Sequence, residues 1–164
     1  MAKTTNFLSP LEFELSIARL PNVAFFVQRA TVPGISMSAV QQPGMFNPVF
    51  HSPDKLDFQE LMITFTIDER MDNYLEIFNW MIGLSFPRSF GEYKELRDSE
   101  PSLYSDISLL VKTSHKNPNI QFHFTDAFPI TLDAVPLDTT AGDVVYPEAS
   151  VSFRYDTFSI TRSV

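Results

Sequence analysis

The chain has 164 residues, no cysteine and a formal net charge of −8. This length suits one domain with its own core, and we expect a single domain over residues 1–164. Without cysteine, neither a disulfide framework nor a thiolate metal site can form. The acidic balance disfavours binding to nucleic-acid phosphates, although it permits a wall along which DNA slides without sticking.

The N-terminal stretch MAKTTNFLSPLEFELS contains no apolar run of signal-peptide length. No apolar run in the chain approaches the roughly 20 residues that span a bilayer. We therefore expect a soluble protein that is made in the cytoplasm and has no membrane anchor.

The first segments predict two strands that form a hairpin. LEFELSIARL alternates apolar and polar residues, with Phe13, Leu15 and Ile17 on the core face. After a turn at residues 21–22, VAFFVQRATV predicts a second strand that ends at the turn formed by Pro33 and Gly34.

A long proline-rich stretch follows, from Val32 to Glu60. Its prolines oppose both helix and strand, so the sequence predicts an irregular loop. Large apolar side chains on such a loop are a liability unless something covers them. They are Ile35, Met37, Val40, Met45, Phe46, Val49 and Phe50.

The next segment, QELMITFTID, gives the clearest strand pattern in the chain. ERMDNYLEIFNWMIGL then changes to a helical period and predicts the only helix, which closes at Gly83. We expect its apolar stripe to pack on the sheet, with Trp80 and Met81 at the edge of the stripe. The stripe comprises Met71, Tyr74, Leu75, Phe78 and Ile82.

The C-terminal half adds three predicted strands. Residues 88–106 are charged and without period, which predicts an irregular excursion. The strands are ISLLVKT, NIQFHFTD and ASVSFRYDTFSI, and AFPITLDAVPLDTT predicts a corner and a short strand between Leu132 and Leu137. The last strand changes phase between Tyr155 and Phe158, so it either bulges or passes from one neighbour to another.

The predicted elements describe an α+β, mainly antiparallel fold. About seven strands form a sandwich or barrel, with one flanking helix and a long loop after the second strand.

The residues suggest no catalytic or metal-binding site. His51, His115 and His123 are far apart and outside metal-ligand spacings. Carboxylate pairs such as Glu12 and Glu14 suit a solvated strand face. Because the sequence has neither a phosphate loop nor a nucleophile with a base, we expect no enzyme activity, cofactor or metal.

Four predicted strands have outward faces of mostly small or acidic side chains. If these faces belong to one sheet, they form a smooth, mildly negative surface without a ligand pocket. The faces are Glu12-Glu14-Ser16, Glu60-Met62-Thr64-Thr66-Asp68, Gln121-His123-Thr125 and Ser150-Ser152-Arg154.

Several segments, in this order, resemble the tail tube proteins of contractile-tailed bacteriophages, which share a fold with baseplate tube-initiator proteins and the Hcp ring protein of type VI secretion. The segments are NFLSPLEFELSI, FFVQRATVPGIS, LDFQELMITFTIDERMDNYLEIFNWMIGL, DAFPITLDAVPLD and ASVSFRYDTFSI. The resemblance implies a virion protein whose six-membered rings stack into a hollow tube for DNA ejection.

The resemblance also implies roles for particular residues. The long loop would reach adjacent subunits, and joined sheets would line a lumen whose acids repel DNA. Partners would be other copies of the chain, the tail sheath and the baseplate, while DNA passes without specific binding. His123 and Arg154 would also face the lumen. The implied inter-subunit residues are Met45, Phe46, Val49, Phe50, Asp54 and Lys55, and the implied lumen residues are Glu12, Glu14, Glu60, Thr64, Thr66 and Asp68.

Other functions stay open at this point. A tube-initiator or tail-completion ring of the baseplate, or a secretion-system ring, would have the same fold. A small-ligand-binding β-barrel belongs to a different class, with the Phe-rich interior as its pocket and the long loop as a lid. A ligand that co-purifies with monomeric protein would favour the barrel.

Overall fold

A computed structural model of the chain describes residues 7–52, 55–85, 91, 94, 103–137 and 146–162. Within these ranges it contains eleven strands and two helices. They are β1 (Phe13–Ile17), α1 (Pro21–Phe25), β2 (Val27–Thr31), β3 (Ile35–Met37), β4 (Val40–Gln42), β5 (Val49–His51), β6 (Leu56–Phe58), β7 (Leu61–Thr66), α2 (Asp72–Ser85), β8 (Ser105–Lys112), β9 (Pro118–Leu132), β10 (Glu148–Arg154) and β11 (Thr157–Arg162).

Seven strands form one antiparallel sheet in the order β1-β8-β9-β10-β7-β2, with β11 also paired to β9. The long strand β9 serves two layers, because residues 120–125 pair with β8 and β11 whereas residues 128–132 pair with β10. We call β1-β8-β9-β11 the first layer and β9-β10-β7-β2 the second layer. The expected mainly antiparallel α+β fold with about seven sheet strands is confirmed.

The bend in β9 lies at Asp126, a non-glycine residue with a φ of 53°. Its N–H donates a hydrogen bond to the Asp106 carboxylate over 3.2 Å, and the register between β8 and β9 shifts beside it. A residue in this left-handed conformation kinks a strand locally. The corner predicted at residues 127–129 corresponds to this bend, which begins one residue earlier, although β9 continues through it as one strand. The short strand predicted at residues 132–137 is wrong, since β9 ends at Leu132.

One apolar core fills the space between the two layers. Alternate residues of each strand point into it, and the largest side chains are fully buried. They include Ile107, Leu109 and Phe124 from the first layer and Leu61, Ile63, Phe65, Val151 and Phe153 from the second. Since both inner faces share this core, the outward faces of the two layers point in opposite directions.

The helix α2 packs through a stripe that agrees only in part with the predicted one, since Met71 and Tyr74 do pack against the core. Its buried residues are Asn73, Ile77, Trp80 and Gly83, whereas Leu75 and Phe78 are exposed. Asn73 is buried because its amide donates to the Thr66 carbonyl over 2.8 Å. Trp80 packs 6.1 Å from Phe153 and donates its indole N–H to the Leu103 carbonyl over 2.9 Å. The helix also continues past Gly83 to Ser85.

The predicted hairpin of the first two strands is wrong. β1 pairs with β8 and β2 pairs with β7, so their partners are distant in sequence. Residues 21–25 form α1 instead of the start of a strand, and a proline at the first helical positions suits a helix start. α2 is therefore not the only helix.

The phase change between Tyr155 and Phe158 occurs because the chain passes from one neighbouring strand to another, as the second of the two expected explanations had it. β10 pairs with β7 and with the second part of β9, whereas β11 pairs with the first part of β9. The chain thus passes from one layer to the other after Tyr155. Most of the predicted excursion at residues 88–106 lies outside the described residues, and its last two residues begin β8. Neither helix among the described elements has the length and hydrophobicity to cross a bilayer.

A carboxylate lies in the contact between the two helices. Glu76 accepts a hydrogen bond from the Asn22 side chain over 2.5 Å, and its other oxygen is buried without a partner among the described residues. Burial raises the pKa of Glu76 above its ordinary value, the hydrogen bond from Asn22 opposes this shift, and the nearby charges of Asp72 and Asp68 add to it. Because the pKa of Glu76 is higher in the folded state than in the unfolded state, the free energy of unfolding falls as the pH rises from the unfolded-state pKa through the folded-state pKa.

Replacing Glu76 with Gln should therefore raise the free energy of unfolding at pH 7 and flatten its dependence on pH above the ordinary pKa of a glutamate. Glutamine keeps an acceptor for Asn22 and removes the charge. Urea unfolding, followed by Trp80 fluorescence at a series of pH values, measures the change. The exposed Glu69→Gln is the matched control and should have little effect. A Glu76→Gln variant that is less stable than wild type at pH 7 would contradict this account.

Candidate functional site

The stretch between β2 and β7 is a two-part hairpin, which we call the arm (residues 35–58). β3 pairs with β6, and β4 pairs with β5. The prediction of an irregular loop is wrong because the described prolines lie outside these ladders: Pro33 precedes β3, and Pro43 and Pro48 flank the tip. Strand pairing therefore survives in a proline-rich sequence.

The large apolar side chains of the arm are exposed. Met45 and Phe46 at the tip are 94% and 91% exposed. Val49 and Phe50 on β5 are also exposed, as is Lys55 before β6, whereas Asp54 lies outside the described residues. Large exposed apolar side chains concentrated on one segment indicate a site of contact with another molecule.

The arm is also uncharged over most of its length. No Asp, Glu, Lys or Arg occurs between Arg29 and Asp54, although the chain as a whole carries −8. Two copies of an acidic chain repel each other. An uncharged segment is therefore where two copies can approach with the least repulsion.

The turn at the tip requires glycine. A Cβ atom at Gly44 would lie 2.1 Å from the Asn47 carbonyl oxygen, closer than any side chain tolerates. This tight turn presents Met45 and Phe46 at the end of the arm. It also bounds an open cavity of about 440 Å³ lined by Gln41, Pro43, Gly44, Phe46, Asn47 and Pro48.

Tyr155 fixes the base of the arm to the core. Its hydroxyl donates to the Gln59 carbonyl over 2.7 Å, and its ring lies 6.2 Å from that of Phe58. Burial raises the pKa of Tyr155, which the charge of Arg154 partly opposes. Sequence reasoning missed this anchor, because Tyr155 has the same phase as the core residues of β10 and nothing in that pattern reveals its hydrogen bond.

The six residues expected to face a lumen lie on two sides of the molecule. Glu12 and Glu14 are on the outward side of the first layer. Thr64 and Thr66 are on the outward side of the second layer, where the Thr64 hydroxyl bonds to that of Ser150 over 3.1 Å. The remaining two, Glu60 and Asp68, flank the two ends of β7.

Several charges on these surfaces are already paired. Lys112 contacts Glu14 over 2.7 Å on the first layer. His123 lies between Ser108, at 3.2 Å, and Asp106, at 3.9 Å, on the same side. On the second layer Arg29 lies 3.9 Å from Glu148. Asp68 accepts a hydrogen bond from the Asn73 N–H over 3.4 Å, so it also supports the start of α2.

The interior offers little room for a ligand. Phe65, Phe124 and Phe153 are fully buried, and the rings of Phe124 and Tyr155 lie 4.9 Å apart. A groove of about 580 Å³ between β1, α1 and β2 is open to the surface. Among the described residues, no three His, Asp or Glu side chains are grouped so that they could hold a metal ion.

A family model described as phage tail tube protein matches residues 6–161. A chain of the anti-feeding prophage baseplate structure is similar in fold, with a TM-score of 0.68, 12% identity and coverage of 97% of each chain. A chain of the PVC extracellular contractile injection system, in its sheath–tube complex, has a TM-score of 0.58 and 12% identity over 97% of this chain and 94% of that one.

A third similar structure is Hcp1 from Flavobacterium johnsoniae, with a TM-score of 0.50, 13% identity and coverage of 94% of each chain. At these identities the likeness shows the fold alone. No curated protein sequence matches the chain. The match to the family model confirms the resemblance identified from the sequence.

Replacing Tyr155 with Phe should loosen the arm without unfolding the core. Loss of the hydrogen bond to Gln59 should lower the free energy of unfolding by about 1 kcal/mol. Amide exchange should become faster in residues 35–58 and stay unchanged in β8. The matched control is Tyr146→Phe at an exposed position. Unchanged exchange in the arm would show that Tyr155 does not anchor it.

Proposed function

Since the chain belongs to the phage tail tube protein family, we propose that six copies form a ring and that stacked rings form the hollow tube of a contractile tail, through which DNA is ejected. The observation that carries this proposal is the anchored, uncharged arm with its exposed apolar tip. The virion tail is then its location, after synthesis in the host cytoplasm, and its role there is structural, not enzymatic.

The arm supplies the contact between copies. Full burial of a side chain such as Met45 or Phe46 contributes about 1.5–3 kcal/mol. Six arms in a ring would make many such contacts at once. A contact between two different surfaces of the same chain can repeat without limit, which is what a tube requires.

The second layer supplies a joint between neighbours in a ring. Among the described strands, β2 and the second part of β9 form its unpaired edges. Because this layer is four antiparallel strands wide, β2 of one copy would run antiparallel to β9 of the next. The strands of all copies could therefore join into one continuous wall.

The outward face of this wall would line the lumen. It carries the short, uncharged side chains of Thr64 and Thr66 together with the paired charges of Arg29 and Glu148. Glu60 and Asp68, at the two ends of β7, would repel DNA phosphates, which allows passage without specific binding. Glu12 and Glu14 belong to the opposite layer and would face away from this lumen.

The outer side of the tube would meet other tail components. The anti-feeding prophage structure is of a baseplate, and the PVC structure is of a sheath–tube complex. By analogy with these assemblies, this chain would contact sheath and baseplate proteins. In this arrangement residues 1–164 act as a single domain.

Purified wild-type protein should form rings or hollow tubes with six-fold end views as its concentration rises. Negative-stain electron microscopy and sedimentation velocity over the same concentration series measure this. A variant with residues 40–51 replaced by a Gly-Ser linker should stay folded by circular dichroism yet fail to form tubes. Leu75→Ser, at an exposed position on α2, is the control and should assemble normally. Wild-type protein that stays monomeric at high concentration would contradict the proposal.

A further inference from the structure

We propose that the arm tip of one copy docks on an apolar strip beside the arm base of another copy. This inference rests on the proposed function and adds the acceptor surface that the arm requires. The strip consists of six side chains from β3, β6 and β11: Ile35, Met37, Leu56, Phe58, Phe158 and Ile160.

The strip is continuous from the arm to the edge of the sheet. The register of β3 and β6 places Ile35 opposite Phe58 and Met37 opposite Leu56, so these four residues share one face. The Phe58 ring lies 5.4 Å from that of Phe158. Ile160 follows on the same face of β11, since residues two apart on a strand point to the same side.

The strip is largely open to solvent. Ile35, Met37, Leu56 and Ile160 are 52%, 62%, 48% and 60% exposed. Within the described ranges, β11 pairs only with β9, so its outer backbone edge is also uncovered. Apolar side chains beside an unpaired strand edge form a surface that another chain can cover.

The tip of the same copy leaves this strip uncovered. Met45 and Met37 are both exposed within one chain. The ladder of β4 and β5 lies between the tip and the base, and paired strands advance about 3.3 Å per residue. Tyr155 holds the chain at Gln59 beside the base, and the tip residues Met45 and Phe46 are 94% and 91% exposed. The tip is therefore available to a second copy.

Charge makes a second copy a suitable occupant of the strip. The tip carries no charged residue, and the strip consists of apolar side chains alone. Asp57, the nearest acid on β6, alternates with Leu56 and Phe58 and so points to the other face, where it lies 3.4 Å from Arg154. The contact thus joins two acidic chains through surfaces that carry no charge of their own.

Two variants test the tip and the strip separately. The tip variant carries Met45→Ser and Phe46→Ser and keeps its strip, whereas the strip variant carries Leu56→Ser and Ile160→Ser and keeps its tip. Neither should form tubes alone. When mixed, one unit of each should join, through one tip–strip contact between two monomers or through one interface between two rings, and growth should stop there. Mass photometry of each variant and of the mixture measures this.

Control measurements distinguish a defect in folding from a defect in assembly. Circular dichroism checks that each variant is folded, and Met37→Ser is a milder second strip variant that should weaken tube formation. Leu75→Ser with Phe78→Ser, exposed on α2, should assemble like wild type. A folded strip variant that forms tubes normally, or variants that fail to join when mixed, would overturn this inference and leave the proposed tube intact. Wild-type protein that never assembles would overturn both.

Discussion

The hydrogen bond from the Tyr155 hydroxyl to the Gln59 carbonyl joins the buried core to the exposed arm. Phe58 packs beside it, with its ring 6.2 Å from Tyr155 and 5.4 Å from Phe158. These contacts give the arm a direction before any partner is present. A preorganised contact segment loses less conformational entropy on binding than a flexible one. The tube proposed here depends on that fixed direction.

Hydrophobic contact and electrostatic repulsion have separate places in this molecule. Many of the described acids lie on strand faces and at strand ends, and several of them have basic or polar partners, such as Glu14 with Lys112. The arm is uncharged and apolar over most of its length. An acidic chain that binds its own copies needs this separation. Salt screens the repulsion between the acidic surfaces over about 8–10 Å, so the burial of apolar side chains at the contact outweighs it.

Local periodicity predicted the elements whose side chains follow simple alternation, and it failed where polar groups are buried. The strand at residues 61–66 was predicted because its core residues alternate without exception. The α2 stripe was correct at Met71 and Tyr74 but missed Asn73, whose polar side chain is buried with hydrogen bonds. Strand partners could not be predicted, since the pairing of β1 with β8 depends on contacts distant in sequence. In the site, the apolar tip could be recognised from the sequence, whereas the Tyr155 anchor could not.

A cryo-electron microscopy reconstruction of the assembled wild-type protein at side-chain resolution would test the proposed tube. It should show six copies in each ring, with Met45 and Phe46 buried against another copy. Thr64 and Thr66 should face the central channel. An assembly in which the arm tips stay in solvent, or in which the channel is lined by the first layer with Glu12 and Glu14, would contradict the proposal.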